Sequence, residues 1–372
     1  MKITNHHRAL IALQNIPEFG LRRSKILLDR TGVNDASELF SLTVPELLKI
    51  DGFGKSIAKS FVEFDDWNSI DKILEKTEKS GATLVSIDNE NYPELLRHIY
   101  DPPLILWVKG NPETLKTDGI AIIGTRRASK YGLVQAEKWA ATLVDAGLCI
   151  NSGLAYGVDA QAHKSALNAG GKTIAVLGSG IDVIYPAKNR KIAGKIIDSG
   201  GAIISEFPPG TPPDAVNFPE RNRIVSGMSH GVLVVESGLK GGSMITARCA
   251  LDQNREVFVV PHQLDYGRGE GCNYLIRTGQ GKLIQYLPDV MDEISVQTGE
   301  VTERSPTVKK WRSLELDEDA EEICILLENE DLHIDQISEQ TGKPTFKLHS
   351  ILLDLEMNGA VRQRAGKYFE LC

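Results

Sequence analysis

Residues 218–227 place two arginines and an asparagine directly before an apolar segment. The stretch reads Phe-Pro-Glu-Arg-Asn-Arg-Ile-Val-Ser-Gly, and residues 231–235, which follow it closely, have the composition of a buried strand. Guanidinium and amide groups at this spacing offer several N–H donors to phosphate or carboxylate oxygens. We predict a loop here, with Arg221, Asn222 and Arg223 binding an anion.

Two earlier loops also combine glycine with groups that bind anions. In the first, Gly124 permits close approach of the backbone, and Arg126 and Arg127 precede a predicted helix N-terminus. In the second, Ser152 and Gly153 open a glycine-rich turn whose N–H groups can face a phosphate. This second turn has neither the Gly-Lys-Ser/Thr of a Walker loop nor the glycine spacing of a dinucleotide fingerprint. We therefore expect both loops to bind a polyanion.

Two further segments extend the same expected surface. Lys188, Arg190 and Lys191 follow a Gly-Ser-Gly turn and a Tyr-Pro pair. The tyrosine of this pair, at position 185, is a candidate for base stacking, and a role in the core is at least as compatible with its position. Ser243 and Thr246 offer hydroxyl groups in a glycine-rich turn after the fifth predicted central strand. Together with the loops above, these residues predict a surface that holds phosphates.

The sequence contains no familiar catalytic motif. Gly-x-Ser-x-Gly and His-Glu-x-x-His are both missing. His163 lies one turn into a predicted helix, where packing or capping is a more common role than catalysis. We expect no catalytic residue, no metal and no cofactor.

Charge is unevenly distributed along the chain. The 372 residues carry a formal net charge of −8, yet residues 118–290 hold 18 Lys and Arg against 15 Asp and Glu. Residues 291–372 hold 9 against 18, so most of the acidity lies near the C-terminus. Because screening limits repulsion to roughly 8–10 Å, the middle region can bind a polyanion despite the negative total.

Composition indicates a cytoplasmic protein that does not act at a membrane. Hydrophobic residues make up 41% of the chain, and no apolar run approaches the roughly 18 residues of a membrane span. The first residues lack the apolar core of a signal peptide. The five cysteines are far apart with no Cys-x-x-Cys pair, which argues against a zinc knuckle or a disulfide framework.

Short apolar runs alternate with helical patterns in residues 118–290. The expected strands are 120–123, 148–150, 173–177, 202–204, 232–235 and 257–260. Continuous apolar runs of this kind predict a mostly parallel sheet that is buried on both faces. Two more strand candidates, at 82–87 and 104–108, precede it, so we assign residues 81–295 to a doubly wound α/β domain. Ligands of such domains bind beyond the carboxyl ends of the strands, where the strand order reverses.

The flanking regions are predicted as small domains. Residues 1–80 are helical and contain a Gly-Phe-Gly turn at 52–54, typical of a helix-hairpin-helix (SAM-like) domain; a packing domain without a ligand is equally compatible. Residues 296–316 are predicted as a linker. Three helices and a hairpin within 317–372 predict a winged helix. Its wing offers Arg362, Arg364 and Lys367, but its acidity favours a partner-binding or packing role.

Several segments, in this order, resemble the DNA-processing protein family DprA, also called Smf. They are Ile-Gly-Thr-Arg (123–126), Ser-Gly-Leu-Ala-x-Gly-Val-Asp-x-x-Ala-His (152–163), Thr-Ile-Ala-Val-Leu-Gly-x-Gly-Ile-Asp (173–182), Tyr-Pro (185–186), Ser-Glu (205–206), Phe-Pro-x-Arg-Asn-Arg-Ile (218–224), Val-Glu (235–236) and Gly-Ser-Met-Ile-Thr-Ala (242–247). The resemblance covers the whole α/β domain. It implies an extended Rossmann-like doubly wound domain flanked by the helical and winged-helix domains.

The resemblance also implies a function. Members of the family bind single-stranded DNA, protect DNA taken up during natural transformation (competence) and load the RecA recombinase onto it for DNA recombination. They form homodimers through the Rossmann-like domain and are not known as enzymes. The positive pocket of the family corresponds here to Arg126, to the cluster from Lys188 to Lys191, and to Arg221 and Arg223.

This chain departs from the family pattern at two points, and one alternative function stays open. His262 follows Val-Pro where glycine is usual, which adds a donor near the expected ligand, and one glycine is extra at 241–242. The alternative is a nucleotide-binding hydrolase of a related Rossmann-like family, with Glu236 near the bond that is cleaved. The Pro-Gly-Gly-x-Gly-Thr-x-x-Glu motif of those relatives is absent.

Overall fold

The structure is a computed structural model that describes residues 3–294, 311, 316–327, 332–358, 360–364 and 368–371. The chain divides into two compact units, Met1–Val296 and Gln297–Cys372. Most of the predicted linker at 296–316 lies outside the described residues. No helix within the described residues combines the length and apolar character needed to cross a membrane.

The first unit begins with a group of helices around an aromatic core. Phe19 packs against Phe53 and Phe61, with ring centroids 5.6 and 5.3 Å apart. The predicted Gly-Phe-Gly turn lies between the third and fourth helices, and Gly52 has φ +89°, a conformation that favours glycine. The helices are α1 (Asn5–Asn15), α2 (Gly20–Thr31), α3 (Val44–Leu47), α4 (Lys55–Val62) and α5 (Trp67–Ser80).

Nine of the described strands form one sheet. They are β1 (Thr83–Ser86), β2 (Ile105–Gly110), β3 (Gly119–Gly124), β4 (Cys149–Ser152), β5 (Thr173–Val176), β6 (Ala202–Ser205), β7 (Gly231–Glu236), β8 (Glu256–Val259) and β9 (Lys282–Leu283). Their order is β1-β2-β6-β5-β4-β3-β7-β8-β9. Strands β3 to β9 pair in parallel, whereas β2 pairs antiparallel with β1 and with β6.

Helices cover both faces of this sheet. They are α6 (Glu94–Arg97), α7 (Lys130–Asp145), α8 (Val158–Asn168), α9 (Arg190–Asp198), α10 (Asn217–Gly227), α11 (Gly242–Asp252), α12 (Glu270–Arg277) and α13 (Pro288–Met291). Successive residues of each central strand point to opposite faces. In β3, Ile122 joins one hydrophobic core, while Ala121 and Ile123 join the core on the other face. The predicted α/β architecture with a mostly parallel sheet is thereby confirmed.

Three features differ from the sequence prediction or go beyond it. Residues 217–227 form helix α10, so the predicted loop is wrong at this point. Strands β1 and β2 were predicted without a partner; they extend the sheet, because β2 pairs along β6 with Trp107 opposite Ser205. Strand β9 was not predicted.

The second unit contains the predicted winged helix. Its described elements are α14 (Glu318–Leu326), β10 (Leu332–His333), α15 (Ile334–Thr341), α16 (Thr345–Met357), β11 (Val361–Arg364) and β12 (Tyr368–Leu371). On α16, the Lys347 ammonium lies 2.6 Å from Asp319. In the wing, Arg362 lies 3.7 Å from Glu370, and Lys367 lies outside the described residues. Two of the basic groups offered by this domain are therefore already paired with carboxylates.

Candidate functional site

A cavity of about 440 Å³ opens beyond the carboxyl ends of β3 and β7. The strand order reverses between these neighbours. On one side of β3 the sheet continues with β4, and on the other side it continues with β7 and then β8. A ligand was expected at this position from the sequence. The polar and charged residues and glycines that line the cavity include Gly124, Thr125, Arg126, Arg127, Gly153, Asp159, Arg221, Asn222, Gly238, Gly241, Gly242, Ser243 and Thr246.

Arg221 is the most unusual of these residues, because its cationic side chain is buried. Its relative exposure is 5%, and it forms no salt bridge with any described residue. One guanidinium nitrogen donates to the Val176 carbonyl at 2.7 Å, while Nε has no hydrogen-bond partner. Burial lowers the pKa of Arg221 to about 10. A buried guanidinium with free donors favours an incoming anion, since desolvation makes an unpaired charge costly.

Gly153 makes room for this guanidinium. A Cβ at this position would lie 1.9 Å from a terminal nitrogen of Arg221, so only glycine lets the loop after β4 pass so close. The Gly153 and Ala155 N–H groups donate to the Asp159 carboxylate at 3.2 and 3.4 Å. Burial raises the pKa of Asp159, and the charges of Arg221 and Arg126 act against that rise. Asp159 thus holds the loop while balancing part of the positive charge.

The loop after β3 contributes two exposed arginines, Arg126 and Arg127. The Arg126 guanidinium carbon lies 5.4 Å from the centroid of the Phe218 ring. Gly157 has φ +77°, and a Cβ there would lie 2.3 Å from the Thr125 carbonyl oxygen, so glycine is required where the next helix begins. These arginines extend the positive charge of Arg221 to the solvent.

Helix α11 adds a positively polarised N-terminus to the cavity. Its first turn contains Gly242 and Ser243, has no acidic residue, and follows Gly241 at the N-cap. A helix N-terminus attracts anions through its free N–H groups and its dipole. The Ser243 hydroxyl donates to the Ser237 hydroxyl at 2.7 Å. The extra glycine at 241–242 therefore lies in the cavity wall, where a Cβ on Gly241 would meet Ser237 Oγ at 2.6 Å.

Two of the predicted residues serve the framework of the fold and do not line the cavity. Ser152 is fully buried and donates to the Ile122 carbonyl at 2.6 Å, which ties β4 to β3. Arg223 does not line the cavity; it lies 3.1 Å from Asp101 and also forms a salt bridge with Glu206. Helix α10 explains the difference, because residues two positions apart in a helix point in very different directions.

The basic cluster of Lys188, Arg190 and Lys191 lies at the start of α9 and does not line the cavity. All three side chains are exposed. Lys191 lines a separate groove between α8 and α9. The predicted residues thus divide into a group around the cavity and a basic group beside it.

Three aromatic residues lie beside the cavity, and only one of them, Tyr185, was a candidate from the sequence. A narrow pocket of about 70 Å³ is lined by Tyr156, Tyr185 and Phe218 together with Arg126, Gly153 and Arg221. The rings of Tyr185 and Phe218 lie 5.7 Å apart, and Tyr156 and Tyr185 are 41% and 42% exposed. Partly exposed rings beside arginines can stack on bases. The signal in the sequence was the Tyr-Pro pair and the phenylalanine that opens the Arg-Asn-Arg stretch.

Arg268 is a further residue that was not predicted from the sequence. Its Nη1 donates to the Arg127 carbonyl at 3.1 Å, and it therefore orders the exposed arginine loop from a distant part of the chain. No short motif surrounds it in the sequence, so only the fold reveals this contact.

The acidic and histidine candidates for chemistry are engaged in the framework. The Glu236 carboxylate accepts from the Ser129 hydroxyl at 2.6 Å and does not line the cavity. His163 is buried 2.6 Å from the Thr173 hydroxyl, and burial lowers its pKa to about 3. His262 lies 2.8 Å from the Val235 carbonyl and does not line the cavity. Within the described ranges, no group of three or more His, Cys, Asp or Glu residues could hold a metal ion.

Comparison with protein families shows that residues 83–295 match the family of DNA recombination-mediator protein A. Residues 312–367 match the DprA winged helix domain. The Smf protein of Escherichia coli K12 is 38% identical over 317 residues, which cover 84% of each chain.

Two solved structures are also similar. DNA processing protein A of Streptococcus pneumoniae is 35% identical with a TM-score of 0.66, over 80% of this chain and all of that one. The second describes the single-stranded DNA binding mode of DNA processing protein A from Helicobacter pylori. It is 34% identical with a TM-score of 0.51, over 56% of this chain and 93% of that one.

Proposed function

We propose that this chain, which belongs to the DNA recombination-mediator protein A (DprA/Smf) family, binds single-stranded DNA at the cavity beyond β3 and β7. The observation that carries the proposal is Arg221, a buried guanidinium that forms no salt bridge with a described carboxylate and has an unused Nε donor. A DNA phosphate supplies the missing anion. Arg126, Arg127 and the N-terminus of α11 surround the same space and add further donors.

The aromatic residues beside the cavity favour single strands over duplexes. Tyr156, Tyr185 and Phe218 offer ring faces next to the arginines, and an unpaired base can stack on such a face. Bases in a duplex are already stacked and paired, so their faces are not accessible. We therefore expect phosphate contacts to supply most of the affinity and the rings to supply the preference for single strands.

The cellular role that we propose follows from the family. The protein protects incoming DNA during natural transformation and loads the RecA recombinase onto it, acting as a cytoplasmic homodimer without catalysis. Family membership and the presence of both family domains support this proposal. The position of Glu236 offers no support for the alternative of a nucleotide hydrolase, because its carboxylate is bound to Ser129 and does not line the cavity.

The charge reversal Arg126→Glu tests the DNA site. Arg126 is exposed, so its replacement leaves the buried framework in place. We expect weaker binding of a labelled single-stranded oligonucleotide, measured by fluorescence anisotropy across a salt series. The slope of log affinity against log salt should fall by roughly 0.7 for each phosphate that the variant no longer binds.

Lys172→Glu is the matched control. Lys172 is exposed and directly precedes β5. It therefore lies at the amino ends of the parallel strands, whereas the cavity lies beyond their carboxyl ends. The Lys172→Glu variant changes the net charge by the same amount as Arg126→Glu. Its affinity for the oligonucleotide and its slope of log affinity against log salt should stay close to those of the unaltered protein. Equal losses in both variants would mean that overall charge, and not this cavity, governs binding. Tighter binding of duplex than of single strands would contradict the proposed preference.

The loading step needs a separate assay. RecA filament formation on single strands already coated with a single-strand-binding protein should become faster when this protein is added. A rate that does not change, at concentrations where the protein binds the DNA, would refute the loading role and leave DNA binding intact.

A further inference from the structure

We propose that single-stranded DNA leaves the cavity past Tyr156 and Tyr185 and continues along a second, purely electrostatic site, the α8–α9 groove. This groove has a volume of about 580 Å³, and its charged lining residues are Lys164, Lys191, Lys195 and Asp198. The inference rests on the proposed function, since it extends the path of the same ligand. It adds Lys164 and Lys195 to the binding surface.

The charges in the groove are unbalanced. Lys164, Lys191 and Lys195 are exposed, and none of the three forms a salt bridge with a described residue. Asp198 is the one acidic residue among the lining residues. Cations that converge in this way repel one another, and a bound phosphate chain relieves that repulsion while releasing its own counterions.

The geometry of the two helices aims these lysines into one channel. Lys191 and Lys195 are four residues apart in α9, so they occupy the same face of that helix. Lys164 projects into the groove from α8, and it lies five residues beyond Asp159, which lines the cavity. Five residues advance about 7–8 Å along the axis of α8 and turn by about 140°, so the groove lies further along α8 than the cavity and on a different face of the helix.

A direct contact fixes the two helix starts relative to each other. The Asn189 side-chain amide, just before α9, donates to the Leu154 carbonyl at 2.8 Å and to the Ala155 carbonyl at 3.2 Å, just before α8. The exposed Lys188 and Arg190 flank this asparagine. A continuous series of cations therefore leads from Tyr185 to the groove.

The chemistry of the groove differs from that of the cavity. No aromatic residue lines it, and its cations are lysines, which act as point charges without the planar fork of arginine. Such a surface binds the phosphate backbone and leaves the bases unread. The cavity holds a few nucleotides by phosphate contacts and stacking, and the groove lengthens the occluded site without adding sequence preference.

The double variant Lys164→Glu/Lys195→Glu tests the groove with oligothymidines of two lengths. One, of about 5 nucleotides, fills the cavity alone, and one, of about 20 nucleotides, is long enough to reach the groove. We expect unchanged affinity for the short strand. For the long strand, we expect a loss of about tenfold and a salt slope that is smaller by about 1.4, because two phosphates are no longer bound.

The matched control is Lys72→Glu/Lys79→Glu. Both lysines are exposed on α5 and line neither the cavity nor the groove, so the same change of charge falls outside both sites. Long-strand affinity that stays unchanged in the groove variant, or falls equally in the control, would overturn the inference while short-strand binding still supports the cavity. If the unaltered protein binds neither length, the proposed function itself fails, and the inference fails with it.

Discussion

At the scale of single residues, the site depends on an arginine in a place where arginine is rarely found. Arg221 lies on the face of α10 that packs against the sheet, and it donates to the Val176 carbonyl at the end of β5. A buried cation needs compensation, and the nearby Asp159 gives only part of it. We therefore expect Arg221 to contribute more to the binding of an anionic ligand than the exposed arginines do.

The sequence predicted which residue types gather at the site better than it predicted the direction in which each side chain points. Arg126, Arg127, Gly153, Arg221 and Asn222 line the cavity, in agreement with where the loops were expected to converge. Arg223 and Ser152 do not, because direction depends on the helix or strand that holds each side chain. The helix α10 escaped prediction because Arg221 interrupts its apolar stripe and no side chain caps its N-terminus.

His163 should make stability depend on pH. Burial lowers its pKa to about 3, from 6.5 in an unfolded chain. Between these values the unfolded chain binds the extra proton, so stability falls as the pH decreases through this window, by at most about 1.4 kcal/mol per pH unit. In His163→Gln this contribution is absent, and the unfolding free energy should depend less steeply on pH. Denaturant titrations between about pH 4.5 and 7 measure the slope.

His349→Gln is the control for this measurement. His349 is exposed on α16, so its replacement should leave the slope of the unaltered protein in place. Identical slopes for all three proteins would show that His163 is not held neutral in the folded state.

At the scale of elements, strands were easier to predict than their order. All six central strands follow from short apolar runs, because a sheet covered on both faces needs apolar residues on both sides of each strand. The partners of β1 and β2 depend on contacts between distant residues, for which the local sequence carries no signal. Strand β9 has only two residues, both exposed, so no apolar run marks it.

Ser129 links the first arginine loop to the framework, and its loss should weaken the fold. Its hydroxyl accepts from the Gly132 N–H at 3.0 Å at the N-terminus of α7 and donates to the buried Glu236 carboxylate at 2.6 Å. Ser129→Ala removes both hydrogen bonds and leaves the carboxylate with fewer donors. We expect the unfolding free energy to fall by about 1–3 kcal/mol, measured by chemical denaturation.

Ser69→Ala serves as the comparison for this variant. Ser69 is exposed in the first turn of α5, and its backbone N–H, not its hydroxyl, binds Asp66. A loss of stability in Ser129→Ala that is no larger than the loss in Ser69→Ala would contradict the role of the cap.

At the scale of the whole molecule, the basic and acidic regions belong to different compact units. The cavity and the α8–α9 groove both lie within Met1–Val296. Residues 297–372 hold 9 Lys and Arg against 16 Asp and Glu. A domain with this balance contributes little attraction for a phosphate backbone.

A chain truncated after Val296 should therefore retain most of its affinity for single-stranded DNA. The anisotropy titration described above, with the full chain beside the truncated one, measures the change. We expect a difference of less than about threefold, because the phosphate contacts that govern affinity all remain. A collapse of binding would assign a direct role in DNA binding to the winged helix.

The pairing of β2 with β6 imposes an order of events on biosynthesis. Trp107 in β2 lies opposite Ser205 in β6, roughly 100 residues later in the chain. A ribosome delivers the chain from its N-terminus, and the inner edge of β2 stays unsatisfied until β6 has emerged from the exit tunnel. Because β6 is translated after β3, β4 and β5, the nascent N-terminal segment has an open strand edge throughout their synthesis. Slower translation between β2 and β6 should prolong that vulnerable interval and increase the demand for chaperones.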